Sequence, residues 1–273
     1  MIYIKHLKKN EKLKLEAVEV LPGGKEVMLP HITLGNFCIM PMAKTIDQHD
    51  HPNPDKMADM LLKWYTRTID SYSEGIYSFA RKGHTKRGAD NSFYRYIKRE
   101  IDSITEQSSI KGEYEELECC AREMWNLGYE QYKDTFFWSY NLLHGDLHTG
   151  NVVSFRGNYR LIDWENLRSG PKEIELAFYL CWDYLRWGDM YRSLDDLIDE
   201  ISVFVDKRLI SAQERDRILY FLIPMWMLIL VLYLNNGNLL YEEDRKAACQ
   251  RIIPLYKQTI FESRPWKEMS NNG

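Results

Sequence analysis

The chain has 273 residues, 45% of them hydrophobic and 28% charged, which excludes a disordered polymer and leaves one large domain or a small domain joined to a larger one. A net charge of −4 gives no reason to expect nucleic acid as the main partner. The five cysteines (Cys38, Cys119, Cys120, Cys181, Cys249) are odd in number and fit no zinc spacing, so they read as reduced thiols of a cytoplasmic protein.

In chain order, "MIYIKHLKKN" has no long apolar core, so no signal peptide is expected. "IYIKHL" (2–7) and "NFCIMPM" (36–42) are short runs of β-branched, aromatic and apolar residues and predict strands. Between them, "KKNEKLKLEAVEVL" points both ways: Leu13 and Leu15 alternate as in a strand, while its Leu, Glu and Lys content favours helix. "VLPGGKEVMLP" (20–30) carries a Pro-Gly-Gly turn signal between apolar runs and predicts a hairpin.

From about residue 52 the chain reads as helical. Asn53 and Pro54 make a cap and a first turn, and Met57, Met60, Leu61, Trp64 and Tyr65 follow at helical spacing. "EYEELECCAREMWNLGYEQYKDTFF" (113–137) predicts a second long helix. The Lys- and Arg-rich stretch 81–100 reads as a solvated face. Helices also dominate after 171, including the acidic "SLDDLIDE" (193–200), read as a solvated face. "ILYFLIPMWMLILVLYL" (218–234) falls short of the roughly 20 residues that span a bilayer, and Pro224 interrupts it, so a buried core helix is expected and no membrane. The outline is α+β: a small strand-rich lobe over 1–46 and a large helical lobe over 47–273.

The chemistry concentrates in "LLHGDLHTGN" (142–151), followed by "DWE" at 163–165. Phosphoryl transfer needs a carboxylate to orient the acceptor hydroxyl and hard oxygen ligands to hold Mg²⁺ on the nucleotide phosphates. Asp146 and Asn151 sit five positions apart, and the apolar run "YRLID" delivers Asp163 at its end. "NVVSF" and "YRLID", joined by the turn "RGN", predict a hairpin that brings Asn151 and Asp163 together.

This combination resembles the aminoglycoside phosphotransferase and choline kinase family, relatives of the protein kinases. The matching stretch is 142–180, with H-G-D-x-x-x-x-N, the hairpin, I-D-W-E, Gly170-Pro171, and Glu175 before Leu176-Ala177, where Asp is more usual. The resemblance implies a two-lobed protein-kinase-like fold, Mg²⁺, and ATP or GTP as phosphate donor. It implies Asp146 as catalytic base, Asn151 and Asp163 as Mg²⁺ ligands, and His148 and Glu165 as residues that touch acceptor or metal. It also gives His144 a bracing role, Glu175 the task of tying down the catalytic loop, and Trp164 a packing role. "NFCIMPMAKTI" resembles the strand and hinge of that family, where adenine bonds to backbone near Met40 and Met42; a plain core strand explains it equally.

The N-terminal lobe departs from the family. No G-x-G-x-x-G is present, and about forty residues precede the hinge, so the lobe reads as reduced. Lys5 then stands for the phosphate-binding lysine, with Glu16 or Glu11 as its partner. The implied activity is phosphorylation of a hydroxyl on an aminoglycoside, a choline-like amino alcohol or a sugar. A homodimer, with a neighbouring subunit covering the nucleotide, stays open. The alternative is a non-catalytic binding or structural protein on the same fold, similar to spore-coat relatives.

Overall fold

The computed structural model describes residues 2–46, 51–68, 141–186, 194–223 and 226. Both predicted N-terminal strands form. β1 (Ile2–His6) and β2 (Ile32–Leu34) flank β3 (Phe37–Pro41) in an antiparallel sheet of order β1-β3-β2, with Lys5 opposite Cys38 and Ile4 opposite Ile39. The turn from β2 to β3 is only Gly35–Asn36, and Gly35 takes φ +61°, the glycine conformation a tight hairpin of this kind requires.

The ambiguous segment after β1 is a helix, α1 (Lys9–Val20). Here the helix propensity of Leu, Glu and Lys prevails over the alternation of Leu13 and Leu15. Its start is capped by Glu11, whose carboxylate accepts the Lys8 N–H at 2.7 Å. The hairpin expected over 20–30 is absent, and a single helical turn, α2 (Gly24–Val27), stands there instead. The Pro-Gly-Gly signal is spent on turning the chain out of α1. Gly23 is left-handed at φ +82°, and Gly24 donates to Leu21 O at 3.0 Å. Gly24 also passes so close to Val18 that a Cβ would lie 1.8 Å from its carbonyl oxygen.

Past β4 (Lys44–Thr45), helix α3 (Pro54–Thr68) starts where Asn53 and Pro54 predict it, with Asn53 Oδ1 accepting the Lys56 N–H at 3.0 Å. The long helix expected over 113–137 and the basic stretch 81–100 lie outside the described residues.

Four short strands frame the motif region. β5 (Asn141–Leu143) pairs with β8 (Arg168–Gly170), and β6 (Val152–Phe155) pairs with both β4 and β7 (Asn158–Leu161). The β6–β7 hairpin is the predicted one. Its two turn residues, Arg156 and Gly157, have φ of 52° and 78°, as a type I′ turn needs. Met28 bridges to Leu161, which joins the α2 end to β7.

The helices α4 (Lys172–Arg186), α5 (Leu194–Asp206) and α6 (Ala212–Arg217) complete the described chain, with α6 running into a π-helical turn at Ile218–Leu222. Trp64, Leu61 and Met57 of α3, Leu143 of β5, Leu161 of β7, Tyr179 of α4 and Phe204 of α5 are fully buried in one core. The first turns of the apolar segment 218–234 join that core: Trp226 Nε1 donates to Ile174 O at 3.1 Å and the Cys181 thiol to Ile223 O at 3.4 Å. The remainder of that segment lies outside the described residues, among which no helix is long and apolar enough to cross a membrane. The acidic run on α5 is only partly a solvated face. Asp196 and Asp199 are exposed, whereas Glu200 is buried with its carboxylate 3.0 Å from His51 Nε2.

Candidate active site

The loop after β5 is fixed by its backbone. Gly145 has φ +86°, and a Cβ there would lie 1.9 Å from Asn166 O, so only glycine fits. Its N–H donates to Glu175 Oε1 at 2.6 Å, and the other oxygen of Glu175 accepts from the Tyr65 hydroxyl at 2.6 Å. Glu175 is buried on α4 and Tyr65 on α3, so both helices anchor the loop. Burial raises the Glu175 carboxyl above its ordinary range, against the lowering effect of its hydrogen bonds, that of Tyr65 foremost, and of the Arg168 charge.

His144 is also buried. Its Nε2 meets Ile162 O at 2.8 Å, and a carbonyl only accepts, so the proton sits on Nε2. Burial pulls the imidazole down to about 4, which keeps it neutral. Its ring lies 4.6 Å from that of Trp164, which packs in turn against Trp64 at 5.1 Å.

This support presents Asp146 to the surface, its carboxylate about a third exposed. Asn151 is buried, and its Nδ2 donates to Asp146 O at 2.8 Å, which leaves Oδ1 as the end available to an outside ligand. His148 lies between them. Its Nδ1 is 3.1 Å from the Gly150 N–H, and its Nε2 is 3.0 Å from Asn151 Nδ2. A neutral imidazole accepts at only one nitrogen, so His148 takes one of these two N–H donors at a time. The His148 ring lies 5.2 Å from Trp182.

A second group forms where β7 ends. Ile162 N–H donates to Asn151 O at 3.0 Å, so the hairpin holds Asp163 one residue past the asparagine's neighbour. Asp163 itself is left-handed (φ 64°, ψ 60°), a conformation that costs a non-glycine residue and is concentrated at functional sites. Its carboxylate is exposed and takes Lys5 Nζ at 2.7 Å, while Lys5 also pairs with Glu11 at 3.0 Å. Carboxylate oxygens of Glu11, Asp163 and Glu165 lie within 4.8 Å of one another. Burial opposes the Lys5 ammonium, yet the hydrogen bonds and charges of Asp163 and Glu11 outweigh it and hold its pKa above the ordinary value. Hydrogen bonding to Glu11, then burial, pushes Glu165 up. Glu11 goes down: the Lys8 N–H, Lys5 and Glu165 overcome its burial.

The predicted residues therefore fall into two adjoining groups, Asp146–His148–Asn151 and Lys5–Asp163–Glu165. Of the two partners foreseen for Lys5, it is Glu11 that pairs; Glu16 faces Lys12 at 3.8 Å instead. Met40 stands opposite Tyr3 in the sheet, and Met42, just past β3, is exposed. Sequence reading missed Lys14, whose ammonium donates to Glu165 O and ties α1 to the turn after Asp163. Its signal was spacing: on a helix Lys14 shares the face of Glu11, three residues earlier.

Chemically, the first group offers a carboxylate beside an amide oxygen, and the second offers clustered carboxylates beside an ammonium. Carboxylate and amide oxygens are the hard donors Mg²⁺ takes, and lysine is a phosphate ligand, so the side chains present fit a magnesium–nucleotide pair.

The sequence matches no protein-family model and none of the curated proteins. Solved structures do match it. A choline kinase from Streptococcus pneumoniae superposes at TM-score 0.58 with 16% identity, over 94% of this chain and 86% of that one. A choline/ethanolamine kinase family protein from Mesorhizobium loti gives 0.63 at 12% identity, over 97% and 84%. An aminoglycoside phosphotransferase from Alicyclobacillus acidocaldarius gives 0.58 at 10% identity, over 94% and 83%. The chain has the protein-kinase-like fold of the choline kinases and aminoglycoside phosphotransferases.

Proposed function

We propose that this chain is a phosphotransferase that moves the terminal phosphoryl group of ATP or GTP to a hydroxyl of a small molecule. The observation that carries the proposal is the ion-pair group of Lys5, Glu11 and Asp163, joined through the Ile162–Asn151 backbone bond to the loop of Asp146. Residues 1–46 supply Lys5, Glu11 and the β3 strand, and residues 47–273 supply Asp146, Asn151 and Asp163.

Each side chain has a task in this reading. Lys5, held by Glu11, binds the nucleotide phosphates. Met40 and Met42 offer backbone groups to the base. Asp163 and Asn151 hold Mg²⁺, with Glu165 in reach. When bound, the metal supplies positive charge against the phosphate oxygens. Asp146 orients the acceptor hydroxyl and takes its proton as the oxygen bonds to phosphorus, and the nucleotide leaves as the diphosphate. His148 lies against Asp146 and Asn151 and borders the acceptor. The names of the structural neighbours favour an amino alcohol or an aminoglycoside as acceptor, with a sugar as the third class.

The test is thermal-shift titration with Mg²⁺–ATP and Mg²⁺–GTP, followed by a transfer screen over choline, ethanolamine, aminoglycosides and sugars. Asp146→Asn is expected to keep the nucleotide shift and lose about 10²–10⁴ in rate, the usual contribution of a positioned acid–base group. Asp163→Ala is expected to lose the shift itself. A wild-type chain with no shift at millimolar Mg²⁺–nucleotide overturns the proposal and leaves a spore-coat-type scaffold as the reading.

A further inference from the structure

A cleft of about 130 Å³ lies between α2, α3 and the β6–β7 hairpin, and none of its lining belongs to either group of the candidate active site. That is roughly ten times the volume one water needs, so it has room for a polyatomic ion. Lys56 and Lys63 stand two turns apart on one face of α3 and line the cleft together with Arg160 of β7. Tyr159 lines it too, its ring centre 5.7 Å from the Lys56 ammonium.

The cleft also holds two carboxylates, and each already has a cation from outside the lining. Glu26 pairs with Arg67, and Asp59 accepts from Lys207 Nζ at 3.2 Å. Lys56, Lys63 and Arg160 make no ion pair among the described residues. Arg160 gives one N–H to Tyr159 O at 3.0 Å, while its Nε is buried with no hydrogen-bond partner. Native structures seldom leave a buried donor unbonded, and a charged one is the costliest to leave. Three cations around an unsatisfied guanidinium call for a ligand that only accepts.

We propose that this cleft is a binding site for a phosphate group, carried by the free ion or by a small phosphate ester. A phosphate monoester has close to two negative charges at neutral pH and three strong acceptor oxygens. That matches one guanidinium, which engages two oxygens at once, and two ammonium groups, which act as point charges. A carboxylate, with a single charge and two oxygens, would satisfy Arg160 and leave the lysines unmatched. The cleft shares the β6–β7 hairpin with the candidate active site: Arg160 lies three residues before Asp163. An anion held between Arg160 and the two lysines therefore ties α3 to the strand that delivers Asp163.

The test is titration calorimetry of the full chain with inorganic phosphate and with glycerol 3-phosphate, at constant ionic strength and without nucleotide or Mg²⁺. The wild type is expected to bind with a Kd of about 1 mM or tighter. Arg160→Gln weakens binding about tenfold or more, the worth of a hydrogen bond to a charged group. Arg160 is half-buried, so the double variant Lys56→Gln, Lys63→Gln, at two exposed positions, tests the cleft with the fold intact and weakens binding about threefold or more. Asp59→Asn takes a carboxylate out of the lining and tightens binding about twofold, a gain that a damaged fold cannot imitate. Lys5→Met keeps the full affinity for both probes. The tighter of the two probes tells the free ion from the ester. Absence of binding at about 10 mM of either probe overturns the proposal, as does an affinity indifferent to the cleft variants. Affinity lost with Lys5→Met and kept with Arg160→Gln overturns it as well, assigning the anion to the candidate active site.

Discussion

Lys5 and Asp163 meet at 2.7 Å across 158 residues of chain. Their ion pair closes the edge strand of the N-terminal sheet onto the end of the β6–β7 hairpin, and Glu11 completes it from α1 at 3.0 Å. Two neighbouring N-terminal elements and one far along the chain thus place one cation and two carboxylates at a single point. Charge-assisted hydrogen bonds of this kind are roughly twice as strong as neutral ones, and they fix where the ammonium points.

In the proposed phosphotransferase, Lys5→Met therefore weakens Mg²⁺–nucleotide binding about ten- to a hundredfold, the worth of one hydrogen bond to a charged group. Glu11→Gln weakens it less, because it loosens Lys5 without removing it. Glu16→Gln, four residues from Lys12 on the outer side of α1, leaves it unchanged. Titration calorimetry of the three variants with Mg²⁺–ATP checks the order. Equal losses for Glu11→Gln and Glu16→Gln would sink the assignment of Glu11.

Gly145→Ala is expected to be among the most damaging small substitutions. The left-handed φ of +86° strains any side chain, and the Cβ would meet Asn166 O at 1.9 Å. The neighbour is backbone, so the loop itself has to move, and a loss of about 3 kcal/mol or more follows. Gly157→Ala is the control: it shares positive φ but meets nothing within 4 Å, so its cost is only the strain, about 1 kcal/mol. Chemical denaturation separates the two.

Much of this site was legible in sequence because its determinants are local. The Asp146-to-Asn151 spacing, the Arg156–Gly157 turn and the Asn53–Pro54 cap each act within a few residues. α1 was legible only as an ambiguity, since Leu13 and Leu15 satisfy both periods and the helix is decided by propensity and by docking Ala17 and Val18 into the core. The choice of Glu11 over Glu16 followed from that helix and was out of reach before it. The Pro-Gly-Gly signal reported a reversal correctly, yet not its kind. What selects a helical turn over a hairpin is contact with Val18 and Leu161, which no local pattern records. Glu200 read as solvated for the same reason: its partner His51 lies 149 residues away.

Tyr65→Phe removes a hydroxyl from a buried pair. Glu175 Oε2 then loses its donor at 2.6 Å in a site without water access, while Oε1 keeps the Gly145 N–H. An orphaned buried acceptor costs about 1–3 kcal/mol. The loop carrying Asp146 loosens with it, so turnover falls more than nucleotide affinity. A variant as stable as the wild type would mean that the backbone donors of the loop hold Glu175 without Tyr65. Thermal melts and steady-state kinetics on the same preparations decide the point.

His144 makes the stability of the loop depend on pH. Burial lowers its folded-state pKa to about 4, against about 6.5 in an unfolded chain. Its Nε2 proton is committed to Ile162 O, and the opposite nitrogen, Nδ1, is buried without a partner, so a second proton would sit in an apolar site. Between pH 6.5 and pH 4 the unfolded chain binds the proton and the folded chain does not. Stability therefore rises with pH across that window, is fully present above it, and drains away as pH falls through it. Integration gives a loss of about 2 kcal/mol between pH 7 and pH 5 from this group alone. Glu173 and Glu175, raised by burial, act with the opposite sign, so the wild-type curve is a composite. His144→Gln isolates the histidine: its amide can still donate to Ile162 O, and it does not titrate. The variant is less stable than the wild type at pH 7, and the gap narrows by about 2 kcal/mol by pH 5. Urea unfolding at the two values measures it. A gap that stays constant would show that His144 titrates alike in both states, and its burial would then have no part in holding it neutral.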